Sequence, residues 1–112
     1  MFLRHYVNGL YIMTKQIANI QHQEATLDKG AELVRRLEAL IAEWQRFQPD
    51  FSELMTYYGS EQWHEDVKAS NEGALEGVKC GVLSEDAVYD LYGEQRALNL
   101  KMMRVALDYL EG

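Results

Sequence analysis

A chain of 112 residues, 47% hydrophobic and 26% charged, has the size and profile of one folded domain, which excludes a compositional case for disorder. One Pro and eight Gly favour helices over a turn-rich β architecture, and a single cysteine, Cys80, excludes an internal disulfide. A net charge of −7 argues against direct nucleic acid binding, since phosphates are repelled.

The charge is uneven. Residues 50–94 hold 11 acids against Lys68 and Lys79, a net of −9, whereas the segments on either side are each +1. The middle of the chain therefore supplies the whole imbalance and would steer a basic partner towards itself. No apolar run approaches the ~20 residues of a membrane-spanning helix. Arg4, His5 and Asn8 interrupt the apolar start, so a signal-peptide core is not expected. Cytoplasmic localisation, with no membrane contact, is the expectation.

In chain order, residues 1–13 form an apolar extension. Asn8-Gly9 between apolar runs predicts a hairpin, while Leu3, Tyr6, Val7 and Leu10 fit a helix equally. From Thr14 a long helix is predicted to about Phe47. Ile20, Leu27, Val34 and Ile41 recur every seven residues, with Leu37 and Trp44 three positions on. Gly30 costs ~1 kcal/mol relative to Ala, so continuity or a mild kink is expected there. Pro49 disfavours helical backbone at Gln48 and predicts a stop, with Pro49 itself opening a short second helix through Phe51, Leu54, Met55 and Tyr58. Gly59 suits a left-handed stop and Ser60 an N-cap for a third short helix anchored by Trp63 and Val67. Residues 70–81, with Gly73, Gly77 and Gly81, predict a loop. Ser84 then caps a last helix to about Glu111, with Glu85 and Asp86 answering its dipole.

That last helix carries two apolar stripes. One holds Ala87, Val88, Leu91, Leu98, Met102, Val105 and Tyr109. The other holds Leu100, Met103, Leu107 and Leu110, roughly 160° away at 100° per residue. A helix apolar on opposite sides must be covered twice, and the second stripe is a candidate interface of a homo-oligomer.

No pattern points to catalysis or to a cofactor. Glu61-x-x-His64 has the spacing of a bridged metal-ligand pair, but a di-iron bundle needs it twice, and neither His5 nor His22 has a carboxylate three residues before it. Gly73 to Lys79 has the wrong spacing for a phosphate loop, and Glu72 and Glu76 would repel the ligand. Acids around Cys80 disfavour a reactive thiolate, so a structural thiol is expected. What remains is aromatic side chains among surplus acids: Tyr57, Tyr58, Glu61, Glu65, Asp66, Glu85, Asp86 and Tyr89. These are the candidate partner-binding residues, for another protein with a basic surface.

The run from Tyr57 to Trp63, followed by the loop and Gly81-Val-Leu-Ser-Glu-Asp-Ala-Val-Tyr-Asp-Leu91, resembles the bacterial domain-of-unknown-function family 4298. The segment from Trp44 to Pro49, closing the long helix, fits as well. The resemblance covers about residues 17–110 and leaves residues 1–13 outside it. It departs at Gly93, where a bulkier residue would be ordinary. It implies a helical, bacterial, cytosolic protein and carries no activity or functional residue with it.

The expected architecture is all-α. Two long antiparallel helices, about 14–47 and 84–111, hold two short helices and a glycine-containing loop between them, in a single helical domain 14–112. The expected function is a non-enzymatic protein–protein interaction module using the acidic surface of residues 50–94. Alternatives are a small-molecule-binding protein or enzyme with a pocket under loop 70–81, and a structural homodimer.

Overall fold

The computed structural model describes the backbone from Phe2 to Gly112 and the side chains from Asn8 onward. The fold is all-α, with no strand among the described residues. Helix α1 spans Phe2–Tyr57, α2 Glu61–Asn71 and α3 Ala87–Glu111, and a 3-10 turn, Gly81–Leu83, lies before α3. The chain divides into two compact units, Met1–Phe47 and Gln48–Gly112.

Helix α1 is longer than expected at both ends. Residues 2–13 are helical, not a hairpin, because the i, i+3, i+4, i+7 apolar spacing continues the phase of the helix that follows. What concerns Met1, and the side chains as far as Val7, lies outside the described residues. At the other end the expected stop near Gln48 does not occur: α1 runs through Pro49 to Tyr57. Proline removes one helical hydrogen bond and crowds one carbonyl, a cost of about 3 kcal/mol. Phe51, two residues later, keeps the spacing set by Ile41 and Trp44 and is buried, which offsets that cost. The expected second helix is therefore the last two turns of the first.

The first unit is one helix, exposed from Asn8 to Ile41. The second unit holds a corner: the 3-10 turn packs against α2 and against the start of α3, and Phe51 on α1, Trp63 on α2 and Val88 on α3 are the buried hydrophobic residues among those described. Gly59, at φ 77°, turns the chain out of α1 in the left-handed region that only glycine enters without strain. Helix α2 ends in a Schellman motif. Gly73 sits at φ 80°, its N–H donates to the Ser70 carbonyl at 3.1 Å, and the Ala74 N–H donates to that of Ala69 at 3.0 Å.

Candidate functional site

The corner is assembled from short-range chemistry outward. Ser60 has the extended backbone of an N-cap (φ −70°, ψ 169°), and its Oγ accepts the Trp63 N–H at 3.2 Å. This fixes the first turn of α2 and turns Trp63 inward. The indole Nε1–H donates to the Val82 carbonyl at 3.0 Å, so a residue of α2 holds the 3-10 turn. Tyr58, last to leave α1, meets the Trp63 ring edge-on at a centroid distance of 5.3 Å and donates its hydroxyl to the Glu85 carbonyl at 2.6 Å. Two aromatic side chains thus clasp the segment that leads into α3.

Ser84 has the expected cap geometry (φ −73°, ψ 150°), and its Oγ accepts the Ala87 N–H at 3.1 Å while donating to the Gly81 carbonyl at 2.9 Å. Regular helix begins only at Ala87, because residues 84–86 are drawn into the turn by the Gly81 carbonyl and by Tyr58. Ser84 therefore caps α3 from three residues before Ala87.

Tyr57 and Asp66 form a second contact between α1 and α2. The Tyr57 hydroxyl donates to Asp66 Oδ2 at 2.5 Å, and Gln62 Nε2 donates to Oδ1 at 2.8 Å. The bond to Asp66 pushes the Tyr57 phenol up to about 12, with desolvation and the charge of Asp66 adding to it. Further along, Gln95 on α3 donates from Nε2 to Gln48 Oε1 at 3.0 Å.

Of the eight candidate partner-binding residues, three are committed inward: Tyr57, Tyr58 and Asp66 are half-buried and spend their polar atoms on the corner itself. The other five stay outside. Glu61 and Glu65 are exposed on α2, Glu85 and Asp86 on the turn into α3, and Tyr89 on α3 is 67% exposed. The four candidate oligomer-interface residues, Leu100, Met103, Leu107 and Leu110, are exposed as well, Leu110 at 79%. Sequence reasoning did not anticipate the Trp63 and Tyr58 clasps or the Gln48–Gln95 pair. Each joins residues 19 to 47 positions apart, and no periodicity reports such contacts.

His64 and Glu61 are both exposed, the His64 ring lying edge-on to Trp63 at 5.0 Å. Among the described residues no three His, Cys, Asp or Glu side chains gather where they could hold a metal ion. Cys80 is half-buried and its thiol donates to the Val78 carbonyl at 3.3 Å. Surface grooves of about 280, 500 and 660 Å³ are each lined by one helix alone, α3 for the first and α1 for the others. A ligand pocket needs converging walls, which a groove on one helix does not provide. Among the described residues no helix is long and apolar enough to cross a membrane.

No curated protein and no solved structure is similar to this chain. A family model does match, over residues 20–105, which takes in the whole of α2, the loop, the 3-10 turn and most of α3. That span is well over half of the chain, and the protein belongs to the family described as Domain of unknown function (DUF4298).

Proposed function

We propose that this protein is a bacterial, cytoplasmic, non-enzymatic interaction module whose Gln48–Gly112 unit presents an acidic, aromatic surface to a basic protein. One observation carries the reading. Tyr57, Tyr58 and Asp66 are used up in holding the corner, while Glu61, Glu65, Glu85, Asp86 and Tyr89 remain exposed on it. The acids are therefore mounted on short, capped elements, so that little ordering entropy is lost when a partner binds. Their excess charge favours fast encounter with a basic surface and salt-sensitive affinity.

The test is affinity purification from the native host at rising salt, wild type beside Glu61→Lys/Glu65→Lys/Asp86→Lys. A basic partner released by a few hundred millimolar salt, and absent from the variant, is the expected result. Partners that are neutral or acidic, held regardless of salt and retained by the variant, would overturn the proposal.

A second reading has its own observation. Leu100, Met103, Leu107 and Leu110 form a stripe on α3 that is exposed throughout, the surface of a structural homodimer. Light scattering on Leu107→Asp tests it, and an unchanged mass counts against it.

A further inference from the structure

From Asn8 to Ile41 every side chain of α1 is exposed; the first half-buried ones are Ala42, Trp44 and Phe47, and Phe51 beyond them is buried. Packing therefore holds the helix from residue 42 onward. Upstream of that point it rests on intrinsic propensity, on pairs along its own surface, and on growth from the packed end, which spares it the costly first turn.

The exposed part divides in two at Gly30. Of the 17 residues 31–47, thirteen are Ala, Leu, Glu, Arg or Gln, all good helix formers. Glu32 stands four residues before Arg36, the favourable order for a pair, and Leu33 stands four before Leu37. Residues 8–29 read differently. Eleven of these 22 are Asn, Asp, Gly, His, Tyr or β-branched. Glu24, Asp28 and Glu32 follow one another at i, i+4, so like charges stack along the helix across the division. The Thr14 and Thr26 hydroxyls donate back to the Leu10 and His22 carbonyls at 2.8 and 3.2 Å, an arrangement that slightly destabilises a helix.

Magnitudes decide how far the helix extends. A propagation constant of about 1.6 for Ala, lowered by the mean propensity of each stretch, becomes roughly 0.8 per residue for 8–29. For 31–47 it becomes roughly 1, and the side-chain pairs lift it above that. At ~0.8 the helical population falls about tenfold in ten residues. Gly30 lowers the weight of any helix that crosses it about fivefold relative to Ala.

We propose that α1 is built from two parts of unequal stability: residues 31–57 stay helical with the corner, while residues 8–29 open and close as a separate arm that begins at Gly30. The acidic surface on the Gln48–Gly112 unit does not depend on the arm, which orders or melts without disturbing it.

Backbone Cα chemical shifts of the full chain report helical population residue by residue. The expected values are above about half of the full helical shift for residues 33–45 and below about a fifth for residues 14–20. Nothing lies within 4 Å of the Cβ that Gly30→Ala would add, so that variant acts through the backbone alone. It is expected to raise the helical population of residues 24–29 about two- to threefold and to leave the shifts of residues 81–91, within the corner, where they were. Equal helical shifts at 14–20 and 33–45 overturn the proposal, because the arm is then no less stable than the rest. Coil shifts in both stretches overturn it as well, since Gly30 is then not the boundary, and so does a Gly30→Ala variant whose residues 24–29 do not respond.

Discussion

Replacing Trp63 by Phe tests whether the clasp on the 3-10 turn holds the corner together. The substitution keeps an aromatic ring on the first turn of α2 but removes the Nε1–H that donates to Val82 at 3.0 Å. A hydrogen bond of this kind contributes about 1 kcal/mol net, and leaving its carbonyl partner unsatisfied costs ~1–3 kcal/mol where water cannot replace the donor. The smaller ring also leaves unfilled space at a buried position, worth roughly another 1 kcal/mol. Together these give a loss of about 2–3 kcal/mol, a large part of the stability of a small domain. With a urea slope near 1.5 kcal/mol per molar, the midpoint should fall by about 1.5 M. Urea titration followed through the backbone amide resonances of residues 81–91 reads this unit directly, without the signal of α1. A midpoint shift below about 0.3 M would refute the reasoning, because it would mean that the indole donor and its volume are replaceable by water.

Two further perturbations address other contacts. The Tyr57 phenol is raised to about 12, so the folded state holds this proton more tightly than the unfolded chain, whose phenol titrates near 10. The stability this supplies is complete below pH 10 and is lost as the pH rises towards 12. Tyr57→Phe should therefore remove a tyrosine titrating at about 12 from an ultraviolet titration and flatten the fall in stability between pH 10 and 12. An unchanged curve would refute the Asp66 bond. Pro49→Ala restores a helical N–H inside α1 at an exposed position and should raise the melting temperature, by up to ~3 kcal/mol of stability. Calorimetry showing a lower melting temperature would mean that the proline ring is itself required.

The parts that were legible in the sequence are those decided within a few residues. Gly59 followed by Ser60 states a left-handed turn and then a cap, and both hold because their geometry depends only on neighbours. Ser84 is a cap by the same local logic. Its helix starts later because Tyr58, 27 residues away from Glu85, draws on that segment. Pro49 shows the opposite case: local preference predicts a stop, and the phase shared by Ile41, Trp44 and Phe51 carries the helix through. In the candidate site, the acids were legible as a charge surplus. Which aromatic side chains are committed inward was not, since Tyr57 and Tyr58 turn in and Tyr89 stays exposed, a difference set by the partners that folding supplies.

The two clasps also bear on how the corner forms. Trp63 to Val82 closes 19 residues and Tyr58 to Glu85 closes 27, so neither requires a distant part of the chain. Closure entropy rises only with the logarithm of loop length, and loops of about ten residues close within ~10–100 ns. Contacts this local belong to fast-folding helical proteins. Once the chain has emerged as far as Leu91, the corner has both clasps and its buried Val88, whatever α1 upstream is doing. Its speed of folding should be a property of residues 48–91 alone.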